Sequence, residues 1–219
     1  MVSTGRSSRS GASLNQAPRR IGIFGGSFDP VHNAHLALAR LAASQLALDE
    51  LRWVPTGEPW HKARPLTGAT HREAIVRLAI AGEPRWVLER CELERAGPSY
   101  TLDTVRELQV REPGQDWFLV IGQDQYDSLT SWHDWQELLA RVTLAVANRP
   151  GAHPVQSGAL KAFAHRSVNL PLMDLSSTDI RQRIAAGQGI ADLVPPAVAR
   201  YIDQYHLYPP VTQELNGHS

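Results

Sequence analysis

From Arg20 onward the chain alternates short runs rich in β-branched and aromatic residues with longer stretches of helical period, and this alternation limits the fold more than any other feature. Strand-like runs lie at 21–24, 51–54, 86–88, 117–121, 142–146 and 168–170. Between them lie helix-like stretches at 33–46, 71–81, 102–110, 135–140 and 178–186, with a last from 196 to about 206. Strands separated by helices argue for βαβ units, and so for an α/β fold whose doubly wound parallel sheet carries helices on both faces. Local signals support the helices. Thr70 and Glu73 have capping-box spacing, Pro195-Pro196 suits an opening turn, and Ile75, Leu78 and Ala79 form a candidate buried stripe.

The domain limits follow from where apolar residues are missing. Residues 1–19 are dominated by Ser, Gly and Arg, carry no acid and cannot bury enough surface to offset the entropy of ordering, so they read as a disordered basic extension. A single domain over 20–208 and a flexible tail over 209–219 complete the expected organisation. The 219 residues hold 22 basic and 22 acidic side chains, and this zero balance argues against a nucleic acid polymer as partner. No stretch approaches the roughly 20 apolar residues of a membrane span. Cys91 is the one cysteine, so no intrachain disulfide forms, which fits a cytoplasmic protein. The oligomeric state stays open, a homo-oligomer included.

Two constellations carry chemistry. The first runs from Ile21 through Gly25, Gly26, Ser27, Phe28, Asp29 and Pro30 to His32, Ala34 and His35. A strand leads into paired glycines, and a turn feeds a helix whose N-terminus presents N–H groups and the positive end of its dipole, an anion site. His32 and His35 are three apart and project from the same helix end. They donate hydrogen bonds when neutral and carry charge where a phosphate favours it. A transition metal would need further ligands beside them, so no protein metal site is expected. The second constellation is Ser176-Ser177-Thr178-Asp179-Ile180-Arg181. Ser176 and Asp179 have the spacing of a simple cap, whereas Ser177, Thr178 and Arg181 share one face of the first helical turn, suited to polyphosphate oxygens. The long loop over 56–68, which contains His61-Lys62, adds a candidate functional segment.

With these motifs in this order, the sequence resembles the bacterial nicotinate mononucleotide adenylyltransferases of the nucleotidylyltransferase superfamily. The resemblance runs from Arg20 to Tyr208 and also takes in Trp60-His61-Lys62, the run 71–80, Ser99-Tyr100-Thr101-Leu102-Asp103-Thr104, Ile121-Gly122-Gln123-Asp124 and Trp132-His133. It departs from the family pattern at Ala34, where glycine is usual. The resemblance implies a Rossmann-like fold. It also implies an enzyme that joins ATP, bound with Mg2+, to nicotinate mononucleotide, releasing pyrophosphate and making nicotinate adenine dinucleotide for NAD biosynthesis. It assigns His32, His35, Lys62 and Arg181 to catalysis, and Gly25, Gly26, Ser27, Phe28, Gly122, Asp124, Ser176, Ser177 and Thr178 to ATP. Tyr100, Thr101, Trp132 and His133 fall to the mononucleotide. Alternatives are a phosphopantetheine or nicotinamide mononucleotide adenylyltransferase, and a non-catalytic nucleotide-binding regulator of the same fold. The class I aminoacyl-tRNA synthetases share a related histidine motif, but length and charge leave no room for a tRNA-binding region.

Overall fold

A computed structural model of the chain describes residues 17–57, 66–148, 158, 160–169, 171, 173 and 175–210. Lys62, Trp60 and His61 lie outside the described residues, as do most of the basic extension and of the C-terminal tail.

Six strands, β1 (Arg20–Gly26), β2 (Glu50–Pro55), β3 (Trp86–Leu88), β4 (Asp116–Ile121), β5 (Thr143–Asn148) and β6 (His165–Asn169), pair in the order β3-β2-β1-β4-β5-β6. All five pairings are parallel. Strand order therefore reverses at β1 and β4, which lie side by side with Ile23 opposite Leu119, and a crevice opens beyond their carboxyl ends. The helices are α1 (Asn33–Gln45), α2 (Ala69–Ile80), α3 (Cys91–Glu94), α4 (Thr101–Arg111), α5 (Gln123–Asp127), α6 (Trp135–Arg141), α7 (Ser177–Ala185) and α8 (Pro196–Gln204). Leu38, Ile75, Ile180 and Val198 bring α1, α2, α7 and α8 onto one core with Phe24 and Trp53. Leu102, Val105 and Leu138 bring α4 and α6 onto a second core with Ile21, Leu119 and Ile121. Each core buries apolar area on one side of the sheet, the two-faced burial that βαβ connections require.

Local expectations meet three corrections. The α2 helix begins at Ala69 with Gly68 at its N-cap, so Thr70 lies inside the first turn and caps nothing. Glu73 instead pairs with Arg77 at 2.8 Å and with Arg90 at 3.2 Å. The buried stripe of this helix is Arg72, Ile75, Val76 and Ile80, while Leu78 is 36% exposed. The last strand starts earlier than its apolar residues indicate. It pairs on one side only, so its exposed residues need no apolar run. Among the described residues no helix is long and apolar enough to cross a membrane.

Candidate active site

A cleft of about 1150 Å³ opens where β1 and β4 end. Its size suits a nucleotide-scale ligand, and its place is the crevice at the point where strand order reverses. Gly25, Gly26 and Ser27 form its edge at the end of β1. A Cβ on Gly25 would have nothing within 4 Å, so this backbone faces open cleft. On Gly26 a Cβ would stand 3.1 Å from the Phe28 ring, so the glycine is needed for that close packing.

Phe28 itself turns away. With φ at +47° and 1% exposure, its ring packs on Phe24, Trp53 and His35 and lines no part of the cleft. The left-handed backbone aims the ring into the core beneath the glycines, so any part of Phe28 in ATP binding falls to its backbone.

His32 is the N-cap residue of α1 and His35 its third helical residue, and their rings stack with centroids 3.7 Å apart. The His32 main-chain N–H donates to His35 Nδ1 at 3.2 Å. That bond makes Nδ1 the acceptor and places the neutral ring's proton on Nε2, so His35 is a donor toward other partners. Burial pushes the His32 imidazole down to about 4, and the Asp179 carboxylate offsets only part of this. Burial, and then the neighbouring His32, hold His35 well below the usual histidine range. At neutral pH the pair is therefore uncharged. His32 Nδ1 is buried with no partner among the described residues, a polar atom left for a ligand.

The anion site at the start of α1 is narrower than a bare helix end. The Asn33 N–H is taken by the Leu193 carbonyl at 2.9 Å and the His35 N–H by the His32 carbonyl at 2.9 Å. Ala34 lines the cleft beside them.

Across the cleft, α7 is fastened to the histidine loop. Ser177 Oγ donates to the Pro30 carbonyl at 2.9 Å, and Arg181 Nη1 donates to the Asp29 carbonyl at 2.8 Å. Arg181 Nη2 donates to Thr178 Oγ1 at 3.0 Å. Ser176 is the cap its spacing indicated, accepting from the Asp179 N–H at 3.1 Å and donating to the Asp179 carboxylate at 2.5 Å. These three hydroxyls build and anchor the helix end. The Arg181 guanidinium, bonded to Thr178 and to the Asp29 carbonyl, lines the cleft beside them and suits a polyphosphate.

The far end of the cleft is aromatic. Tyr100, Thr101, Trp132 and His133 line it, with the Tyr100 and His133 rings 4.4 Å apart. Thr101 opens α4, and His133 immediately precedes the left-handed Asp134 at the N-cap of α6. Gly122 and Asp124 border the cleft from the end of β4. A Cβ on Gly122 would stand 2.7 Å from Asp124 Oδ1, so a larger residue at this turn would make the Asp124 side chain move.

One residue that supports the site lies in the run 71–80 but receives no role from the sequence motifs. Arg72 is 2% exposed, yet its guanidinium donates to the carbonyls of Thr56 at 2.6 Å, Thr67 at 2.9 Å and Ser27 at 3.2 Å. It ties the loop after β1 to the loops after β2 and before α2. An arginine inside the 72, 75, 76, 80 stripe is the available signal, because a charge on a core-facing position needs partners.

Similarity to known proteins agrees with this geometry. The cytidylyltransferase-like family profile matches residues 23–183. A probable nicotinate-nucleotide adenylyltransferase of Methylibium petroleiphilum is 55% identical, over 90% of this chain and 96% of its own length. One of Albidiferax ferrireducens is 48% identical, over 87% of this chain and 98% of its own. In structure, a Plasmodium falciparum nicotinic acid mononucleotide adenylyltransferase complexed with NaAD superposes with a TM-score of 0.72 at 22% identity, covering 87% of this chain and 97% of the other. That last likeness speaks for the fold, and the close relatives for the lineage: the chain belongs to the cytidylyltransferase-like family and, within it, to the nicotinate-nucleotide adenylyltransferases.

Proposed function

We propose that the cleft binds ATP, as its magnesium complex, together with nicotinate mononucleotide, and that the mononucleotide's 5′-phosphate attacks the α-phosphorus of ATP. The new P–O bond yields nicotinate adenine dinucleotide, and the broken bond to the β-phosphate releases pyrophosphate. The observation that carries this reading is one continuous cleft with a phosphate end of His32, His35 and Arg181 and an aromatic end of Tyr100, Trp132 and His133.

The attacking phosphate is already ionised at neutral pH, so the reaction needs alignment and charge stabilisation more than a base. Neutral His32 and His35 suit that work as hydrogen-bond donors, and Arg181 supplies the planar cation for the leaving oxygens. Lys62 is proposed as a further catalytic cation on the strength of the sequence resemblance. Gly25, Gly26 and Ser27 give backbone to the nucleotide, with Gly122 and Asp124 on its other side. Ser176, Ser177 and Thr178 act for ATP by building the turn that presents Arg181. Trp132 and Tyr100 offer ring faces to the pyridine, and the main-chain N–H groups of Thr101 and His133 suit its carboxylate.

The test is direct. Purified protein is given Mg-ATP with nicotinate mononucleotide, nicotinamide mononucleotide or 4′-phosphopantetheine, and dinucleotide and pyrophosphate are quantified. The expected result is product with the carboxylate-bearing mononucleotide at a kcat/KM well above that for the amide. Equal values for acid and amide would remove the carboxylate-reading site, and no product with any of the three would leave a nucleotide-binding regulator.

A further inference from the structure

Asp29 is fully buried, 0% exposed, and its backbone and side chain have separate partners. Its backbone carbonyl accepts from the Arg181 guanidinium at 2.8 Å, while its carboxylate meets groups from other segments. Tyr208 Oη donates to Oδ1 at 2.8 Å, across 179 residues of sequence, and the Thr67 N–H reaches Oδ2 at 3.4 Å. The Thr67 side chain lies near the phenol, and the buried Arg72 guanidinium supplies a nearby positive charge. A buried carboxylate with these partners has little freedom to rotate, and neither has the peptide whose oxygen holds Arg181.

Tyr208 reaches this position through two backbone turns that non-glycine residues avoid. The α8 helix ends in a Schellman motif, with the His206 N–H bonded to the Asp203 carbonyl and the Leu207 N–H to the Ile202 carbonyl. His206 takes the left-handed turn at φ +48°, and Tyr208 repeats it at φ +63°. The first is an ordinary helix stop. The second follows no helix, and such a conformation persists only where the surroundings hold it, here through the phenol on Asp29.

Resting on the adenylyltransferase reading above, we propose that Tyr208 is a positioning residue for the transfer: from the segment after α8 it fixes the Asp29 carboxylate, and through the Asp29 backbone the Arg181 guanidinium. Arg181 thus depends on two separate parts of the chain, its own helix α7 and the segment that follows α8. Tyr208 touches no substrate. It acts by keeping the peptide that orients the arginine within the few tenths of an ångström that phosphate alignment requires.

The experiment is a double-mutant cycle of Tyr208→Phe with Arg181→Lys, in which the phenylalanine keeps the ring and loses the hydroxyl. With Arg181 in place, kcat falls roughly tenfold, the scale of a hydrogen bond to a charged group. ATP affinity, read by calorimetry without turnover, falls several-fold, and the KM for nicotinate mononucleotide holds. In the Arg181→Lys background the same change has little further effect, because the fork it positions is already gone. Thr67→Val, which removes the hydroxyl near the phenol, moves ATP affinity the same way by less and serves should the phenylalanine chain fold poorly. Equal losses in both backgrounds, or losses that track the folded fraction in urea, make Tyr208 a purely structural residue and overturn the proposal. Were the unaltered chain to bind ATP but form no dinucleotide, the function would be wrong, while the calorimetric cycle would still decide the positioning.

Discussion

Acid should weaken this protein through its two stacked histidines, and the share of His32 can be isolated. His32 is 5% exposed and burial lowers its imidazole from 6.5 to about 4, so the folded chain resists a proton that the unfolded chain accepts. Above pH 6.5 the ring is neutral in both states and contributes no pH dependence. Between 6.5 and about 4 only the unfolded state is protonated, so stability falls as pH falls through that window, and below 4 the penalty is complete. At about 1.4 kcal/mol per pH unit, the full penalty is roughly 3 kcal/mol, a sizeable part of a domain's net stability. Carboxylates titrate over the same range, so the measurement is a difference: urea unfolding of the native chain and of His32→Gln at half-unit steps from pH 7.5 to pH 4, each assay fixed at about 25 °C. The carboxylate contributions are shared and cancel. The native chain should lose about 3 kcal/mol relative to the variant on going from pH 7 to pH 4. Parallel curves would mean that His32 titrates as an exposed histidine does, and the neutral donor pair would have to be abandoned.

Further outcomes follow from the same geometry. His35→Ala should lower kcat by about 10²-fold or more, the scale for a lost positioned donor, measured on the folded fraction because the ring also packs on Phe28 and His32; His32→Ala should behave alike, and near-native turnover in both would remove the pair from the phosphates. Arg181→Lys should recover only part of what Arg181→Ala loses, because an ammonium cannot bond the Asp29 carbonyl, Thr178 and a phosphate in one plane. Ala34→Gly should leave the fold intact and lower the KM for ATP, since the methyl group lines the cleft; unchanged ATP kinetics would show that the backbone has already accommodated it. Trp132→Ala should raise the KM for the mononucleotide about tenfold, a stacking contact being worth about 1 to 3 kcal/mol, and a rise for ATP instead would reassign the ring. Arg72→Lys keeps the charge but loses the fork on three loops; at about 1.5 to 3 kcal/mol for each charged hydrogen bond, a loss of roughly 2 to 4 kcal/mol in urea unfolding is expected.

Most of the architecture is readable from the chain because its signals are periodic. Strands β1, β2, β4 and β5 are paired on both sides and bury long apolar runs that stand out; of the two edge strands, β3 is legible from Trp86-Val87-Leu88, whereas β6 shows only Val168 as buried, and its apolar residues mark only its end. The short α3 and α5 helices have too few residues for a period to register. At the site, His32, His35 and Arg181 are legible because local spacing puts them at helix starts. Phe28 is not, because an aromatic after paired glycines can face cleft or core, and the choice rests on a backbone φ that residue type does not reveal. Tyr208 leaves no trace at all. Its bond to Asp29 joins opposite ends of the domain, and no local pattern encodes a contact of that range.

Among the described residues, the phosphate end of this cleft is lined by one cation. Two of its donors are neutral rings, and the one described cation on its lining, Arg181, is spread over a carbonyl and a hydroxyl before any ligand arrives. For the proposed reaction this division has a physical logic. Ground-state triphosphate and released pyrophosphate both attract mobile cations, so a cleft dense in charge would hold substrate and product alike and gain little rate. Donors fixed in place, by stacking for the histidines and by the Asp29 peptide for the arginine, favour instead the arrangement in which charge passes to the leaving oxygens. The energy that holds them comes from groups no substrate touches: the Arg72 fork on three loops, the buried Asp29 carboxylate and the phenol of Tyr208. Substitutions in that outer set should therefore act on turnover through geometry while leaving the charge of the cleft unchanged.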